Sequence, residues 1–396
     1  MDQQVEVLFV MPRVKSSKND QRIRFISPDG PVDEEQLAEG GNAEPRMSQY
    51  LIESTLHPYS RADGQAGSRV PGTSILAGLG TDGIAAFVPY GSDLFLEVGR
   101  YAQAAEAIAG SEHFDVIHSH DWMTVQAALK ARQASGKPWV FHVHSLEQDR
   151  SGEAINKGII AIERLGVIEA DHIIAVSDYT KKRIITFYDV PAEKISVVHN
   201  GVFLEGDVDP KPTVQRDVPK EKNVLFLGRI TFQKGPEYFV EAAAEVLKRL
   251  PEVTFIMAGS GDMMPAMIEK VAELGIGQHF HFAGFLRGDD VARAFRMSRL
   301  YVMPSVSEPF GISPLEATRW GVPVIMSRQS GVAEILHHCL LVDFWDVRDM
   351  ADKMVALLSR EPLVTELRNR SQEELPKADW QLAAQKIKTV YTQIMH

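Results

Sequence analysis

Two glutamates eight positions apart stand out in Ser305-Val306-Ser307-Glu308-Pro309-Phe310-Gly311-Ile312-Ser313-Pro314-Leu315-Glu316. An apolar run ends at Pro304, a loop containing Gly311 follows, and a helix is expected to begin near Ser313. Glu308 then sits in the loop and Glu316 in the first helical turn, so the two reach different parts of one ligand. A carboxylate accepts two hydrogen bonds from vicinal hydroxyls, which suits a sugar or a ribose. Backbone amides at a helix start, aided by the helix dipole, suit a phosphate or a sugar hydroxyl. Each glutamate also has a plainer reading. Ser313-Pro314-Leu315-Glu316 has the form of a capping box with proline at the first helical position, and Glu308 fits a solvated loop acid.

Gly228-Arg229-Ile230-Thr231-Phe232-Gln233-Lys234-Gly235-Pro236 places two cations between flexible glycines, directly after a strand-like run and before a helix. The spacing is not that of a P-loop. In a chain of formal charge -11, paired cations at a strand end suit a diphosphate; the alternative is an ordinary polar loop. His118 and His120 flank Ser119 ahead of Asp121-Trp122, and His142 and His144 flank Val143. Strand alternation puts each pair on one face. The run His120-Asp121-Trp122-Met123 departs from the H-x-H-x-D-H spacing of metallohydrolases, so no metal site is expected. His144, ahead of Ser145-Leu146-Glu147, is the histidine best placed for a ligand. Two weaker signals follow strands: Ala258-Gly259-Ser260-Gly261-Asp262, a tight turn, and Gly284-Phe285-Leu286, which offers backbone hydrogen bonds and an apolar face to a nucleobase.

The elements that must position these residues alternate between short β-branched runs and helical periodicity, the pattern of parallel α/β folding. Strands are expected at Val5–Met11, Ala85–Pro89, Val116–Ser119, Trp139–Val143, Ile173–Ser177 and Ile195–Val198, with helices at Leu94–Ala109, Thr124–Gln133 and Thr180–Tyr188. Residues 30–83 read as a long loop or insertion with a helical patch near Met47–Ser54. Glu205–Lys222, crowded with Asp, Lys and Pro, reads as a linker. A second series follows, with strands at Val224–Leu227, Thr254–Ala258, Phe280–Ala283, Leu300–Pro304 and Pro323–Met326. Its helices are expected at Pro236–Leu250, Met264–Leu274, Asp289–Met297, Pro314–Trp320 and Val347–Leu358. The domains are therefore residues 1–208 and 209–375, two doubly wound Rossmann-like units facing across a cleft, with 376–396 a helix returning to the first. Ligands in such folds bind at the carboxyl ends of strands.

The 396 residues, 44% hydrophobic and 24% charged, can bury sizeable cores and do not have the composition of a disordered chain. The acidic balance speaks against nucleic acid as a partner. The single cysteine, Cys339, rules out an internal disulfide framework and cysteine-rich zinc sites. No apolar run approaches the ~20 residues of a membrane span, and no signal peptide is visible, so a cytoplasmic location is expected.

Taken in order, these motifs resemble the family-4 retaining glycosyltransferases of GT-B fold, including glycogen and starch synthase-like members. The resemblance runs from about Val116 to the C-terminus. It rests on His118–Trp122, His144–Glu147, Asn200-Gly201-Val202, Gly228-Arg229 with Lys234-Gly235, and Glu308 with Glu316. It implies an enzyme moving a sugar, glucose first among the expectations, from a UDP-, ADP- or GDP-sugar to a glycan acceptor. Arg229 and Lys234 would hold the donor diphosphate and Glu316 the ribose. Glu308 would contact the transferred sugar beside the Gly311, Ile312 and Ser313 backbone, and His144 would approach that sugar. Gly259, Phe285 and Leu286 would line the nucleotide pocket, while Asp121 and Trp122 would lie on the acceptor side. Fixed cations and a helix N-terminus would stabilise the leaving diphosphate without a metal or other cofactor. The resemblance departs at the start: family members begin with a strand, a glycine-rich loop and a helix, and Gly40-Gly41 is no substitute for that loop. This leaves two rivals, a donor-binding protein without turnover and a sugar-nucleotide epimerase or hydrolase on the same fold.

Overall fold

The computed structural model describes residues 7–12, 23–26, 47–52, 94–152, 154–202 and 221–395. Two compact units emerge: Met1–Phe141 with Asn156–Asp171 and Ile394–His396, and His142–Ile155 with His172–Gln393.

In the first unit, β1 (Val7–Pro12), β2 (Ile23–Ile26) and β3 (Met47–Ile52) form a parallel sheet in the order β1-β3-β2. Met47–Ile52 is thus extended, where a helical patch was expected. A six-residue segment is too short for apolar spacing to separate a period of 3.6 from one of 2. The expected strand Ala85–Pro89, the rest of the 30–83 insertion, Gly40-Gly41 and most of the linker lie outside the described residues. After α1 (Leu94–Ser111) come β4 (Ile117–His120), α2 (Val125–Ser135) and β5 (Trp139–Val143). A short helix α3 (Glu147–Ser151), which belongs to the second unit, and then α4 (Lys157–Glu169) follow. Leu94, Val98, Trp122 and Ile159 pack into one apolar cluster. Gly166 is a close-packing position of this unit, since a Cβ there would stand 2.8 Å from Val125 and 2.9 Å from Phe141.

The second unit contains β6 (His172–Ala175), α5 (Asp178–Tyr188) and β7 (Ile195–Val197), with β6 and β7 paired in parallel. Its main body is β8 (Asn223–Leu227), α6 (Pro236–Leu247), β9 (Thr254–Ala258), α7 (Met264–Glu273), β10 (Phe280–Gly284), α8 (Asp289–Met297) and β11 (Leu300–Met303). Then come α9 (Ser313–Arg319), β12 (Val324–Ser327), β13 (Leu340–Val342), α10 (Val347–Ser359), α11 (Glu361–Glu374) and α12 (Trp380–Ile394). Six strands run parallel in the order β10-β9-β8-β11-β12-β13.

Both faces of the middle of this sheet are covered, which is why β8 and β11 carry near-continuous apolar runs rather than alternating ones. Val224 and Phe226 of β8, Phe255 and Met257 of β9, and Leu300 and Val302 of β11 enter the core on the α6 and α10 side. Their strand neighbours Leu225, Ala258, Tyr301 and Met303 enter the core on the α9 side. Parallel pairing brings the carboxyl ends of β8 and β11, neighbours at the middle of the sheet, to the same edge, and the loops that follow them carry the chemistry.

Candidate functional site

The loop after β8 runs from Gly228 through a 3-10 turn at Phe232–Lys234 into α6, which begins with Pro236 at its first position. Gly235 has φ +62°, and a Cβ on it would stand 2.2 Å from the Pro304 carbonyl. Only glycine lets this loop approach the end of β11 so closely. The Val306 amide donates to the Gln233 carbonyl at 2.9 Å and so ties the two loops together. The contact that results is the centre of the site: the Lys234 ammonium pairs with the Glu308 carboxylate, to which Ser305 Oγ also donates at 3.1 Å. Glu308 is only 6% exposed, so it is not the solvated loop acid of the plainer reading. Arg229 is exposed, and its guanidinium donates to Gln233 Oε1 at 2.9 Å.

Backbone bonds clamp the Glu308 loop on the far side. The Glu308 amide donates to Gln329, the Gly331 amide to the Glu308 carbonyl and the Val332 amide to the Phe310 carbonyl, all within 2.9 Å. Ser177 Oγ, at the cap of α5, donates to the Pro309 carbonyl at 2.5 Å. Glu334 completes the clamp. Its oxygens accept from the Asp178 and Tyr179 amides at 2.8 Å and meet His199 Nε2 at 2.8 Å. Burial alone would raise the Glu334 carboxyl, but His199 and the two amides bring it below the usual carboxylate range. The neighbouring Asn200-Gly201-Val202 motif has a packing role: the Val202 amide donates to Ala378, and a Cβ on Gly201 would stand 2.5 Å from the Trp380 nitrogen.

The capping box is not formed. The cap residue of α9 is Ile312, with no side-chain cap bond, because the helix begins at Ser313 itself, one residue earlier than the box requires. Tyr301 is fully buried and donates to the Leu227 carbonyl at 3.2 Å. Burial, together with the charges of Glu308 and Glu316, holds it protonated. Glu316 is therefore released from capping. It is half-buried, and burial raises its carboxyl above the usual range, with Arg319 opposing.

Around this centre, Gly311 turns with φ +98° under Glu308, and Ile312 is 39% exposed. Gly259 (φ +143°) sits against Gly228 at the end of β9. Phe285 is 64% exposed with the Arg287 guanidinium 5.1 Å from its ring centre, and Leu286 is half-buried against the α9-side core. His144 is half-buried and stacks on His142 at 4.3 Å, as strand alternation requires. His118 and His120 stack likewise at 4.5 Å.

Asp121 and Trp122 lie in the first unit. Trp122 is 2% exposed, with its ring 5.8 Å from that of Phe95. Its place is in the core, and the acceptor-side expectation rests on Asp121, whose backbone takes the strained φ of +57°. The structure thus pairs Lys234 with Glu308, ties Arg229 to the same loop through Gln233, and sets the charges of Glu308 and Glu316 near the Tyr301 hydroxyl. Sequence reading missed Gln233, Tyr301, Ser305 and Glu334, which support these residues. Tyr301 was hidden as one apolar strand residue among several.

Residues 66–205 match the family model described as Glycosyltransferase Family 4, and residues 209–374 that of Glycosyl transferases group 1. An uncharacterized glycosyltransferase from Methanocaldococcus jannaschii is 35% identical over 58% of this chain and 62% of its own length. A D-inositol 3-phosphate glycosyltransferase from a Mycobacterium species is 32% identical over 65% of this chain and 62% of its own length. The chain spans about three fifths of these two relatives. Among solved structures, a sucrose-phosphate synthase from Thermosynechococcus elongatus superposes with TM-score 0.64 at 20% identity, over 79% of this chain and 82% of that one. Anabaena HepE in complex with UDP and glucose does so with TM-score 0.63 at 20% identity, over 76% and 83%. The chain has the GT-B fold, and it belongs to the family-4 glycosyltransferases. No helix among the described residues is long and apolar enough to cross a membrane.

Proposed function

We propose that the protein is a retaining glycosyltransferase that moves a hexosyl group, glucose in the first instance, from a nucleoside diphosphate sugar to a glycan acceptor, in the manner of a glycogen synthase. The observation that carries this reading is the Lys234–Glu308 pair, a cation and a carboxylate held together at the carboxyl ends of adjacent parallel strands. Breaking the anomeric bond puts negative charge on the diphosphate and positive charge on the sugar ring. Lys234 and Arg229 stabilise the first, and Glu308 positions and stabilises the second. Both charges are fixed before the reaction, so little reorganisation opposes it. Attack from the face the diphosphate leaves, with the acceptor proton passing to a phosphate oxygen, retains configuration and needs no protein nucleophile. Glu316 holds the ribose hydroxyls, the Gly259 and Gly311–Ser313 backbone lines the donor, Phe285 and Leu286 flank the base, His144 contacts the sugar, and Asp121 serves the acceptor.

Glu316 gives this reading a pH signature. The ionised carboxylate accepts both ribose hydroxyls, and the protonated one does not. Because burial raises its pKa, donor affinity falls with decreasing pH from a higher pH than an ordinary glutamate would produce. A nucleotide sugar has no phosphate titrating in that range. Calorimetric titration of UDP-, ADP- and GDP-glucose across pH should show this for one of them. Glu316→Gln flattens the profile and weakens binding about 10-fold or more, as expected for loss of hydrogen bonds to a charged group. Equal affinity and an unchanged profile in the variant would refute the ribose role.

A further inference from the structure

The second unit contains a buried polar chain that the donor-site reading does not use. Asp149, on α3, has a side chain with no exposed surface. Its Oδ1 accepts from Ser307 Oγ at 2.6 Å and lies 2.7 Å from Arg183 Nε. The latter contact is an ion pair rather than an aligned hydrogen bond. Its Oδ2 accepts from the Leu146 amide at 2.8 Å. Tyr179, on α5, meets Ser307 through its hydroxyl at 2.9 Å, and Arg183 Nη1 donates to that hydroxyl at 3.4 Å.

The directions of these bonds follow from donor counting. A carboxylate facing a guanidinium only accepts, so the one Ser307 proton goes to Asp149. Ser307 must then accept from Tyr179, whose own oxygen accepts from Arg183. The chain runs one way, from Arg183 through Tyr179 and Ser307 to Asp149. The two residues that donate to Asp149 both bear on the site. Ser307 is the residue before Glu308, and Leu146 lies two residues after His144.

We propose that Asp149 is a positioning residue for sugar transfer. Its buried carboxylate fixes the Glu308 loop through Ser307 and the His144 segment through the Leu146 amide, so that the two groups meeting the transferred sugar keep one mutual geometry. This role rests on the glycosyltransferase reading of the site. Asp149 touches neither donor nor acceptor, and Lys234, Arg229 and Glu316 bind the nucleotide without it. Its loss therefore acts on the chemical step, where a small misplacement of reacting groups is costly, and leaves donor binding in place.

The test compares wild type with Asp149→Asn, Ser307→Ala, Ser307→Thr and the Asp149→Asn/Ser307→Ala double variant. Transfer kinetics and calorimetric donor affinity are measured on each. Asp149→Asn is expected to lower kcat by about 10- to 100-fold, with donor affinity within about threefold of wild type, less than the tenfold that 1.4 kcal/mol represents. Ser307→Ala lowers kcat by a smaller factor, Ser307→Thr restores it, and the double variant is no worse than Asp149→Asn because one chain is cut twice. Unchanged kcat in Asp149→Asn, or a fall in donor affinity that matches the fall in kcat, overturns the proposal.

Hydrogen exchange reads the same linkage without turnover. In Asp149→Asn the amides of Leu146, Glu308 and Gly331 should exchange faster together, while those of β8 and β9 stay protected. Faster exchange at only one of the two segments, or none, overturns the proposal even in a protein that transfers no sugar. An inactive wild type with coupled exchange would count against the transferase reading and leave the linkage standing.

Discussion

Lys234→Ala is expected to lower sugar transfer by about 10²–10³-fold and to destabilise the second unit at the same time. The ammonium sits at the end of β8, opposite Glu308 at the end of β11, and both side chains are largely withdrawn from water. A fixed cation aimed at a developing diphosphate charge is comparable to an oxyanion-hole donor, whose removal costs about 10²–10³ in kcat. The structural cost has a separate origin. Truncating one partner of a buried pair leaves the other charged and unsolvated, which costs about 3–5 kcal/mol in general. Glu308 would keep only Ser305 Oγ, which reduces that cost without removing it. The two effects separate in Lys234→Met/Glu308→Gln, which carries neither charge. Thermal unfolding of the double variant should recover most of the stability lost in Lys234→Ala, while transfer stays at background. Transfer above about a tenth of wild type in Lys234→Ala would be incompatible with the role given to this cation.

Gly259→Ala is expected to have the largest effect on stability of any Gly→Ala change among the described residues. The residue has φ +143°, and its Cβ would stand 1.8 Å from the Gly228 carbonyl oxygen, which is backbone and has no rotamer to yield. The Gly259 amide also donates to Gly284 at 2.7 Å, and Gly228 donates to Ala258 at 3.0 Å. The strand ends are therefore pinned on both sides, and relief requires the Arg229 loop to move. The combination of a forbidden φ and a backbone clash should cost at least about 3 kcal/mol. Denaturant unfolding would read that loss directly. Donor affinity should fall with it, since Arg229 follows Gly228. By contrast Gly275, where φ is +66° but a Cβ would meet nothing within 4 Å, should show only a strain penalty of about 1 kcal/mol on the same change. Equal stability losses at the two positions would show that close approach at Gly259 is not what matters.

Where an element is long, or bounded by clear signals, its ends were legible in the sequence. The helix at Asp289–Met297 and the strands at Trp139–Val143 and Thr254–Ala258 begin and end where their patterns do. Met47–Ile52 was misread because six residues do not separate the two periods. The strand at Leu340–Val342 has only three residues, and the helix at Glu361–Glu374 hides a sparse apolar stripe among charges; neither was anticipated. The site follows the same logic. Glu308, Lys234 and Arg229 were visible because each follows a strand with glycine beside it. The Lys234–Glu308 contact spans 74 residues and the Asp149–Ser307 contact 158, and no local pattern announces such a pair. Glu316 shows the reverse hazard. Its capping box was a good local match, undone because the helix starts one residue earlier, with Ile312 and not Ser313 at the cap.

The central claim is that Lys234 and Glu308 serve the transfer of a sugar with retained configuration. It is tested most directly by following the anomeric proton by NMR as the protein is given an α-linked nucleotide sugar, with and without a glucan oligosaccharide. A new α-glycosidic signal on the acceptor and release of nucleoside diphosphate are expected, both dependent on the oligosaccharide and both lost in Lys234→Ala. A β-linked product, or free or epimerised sugar appearing at the same rate without the acceptor, would contradict it.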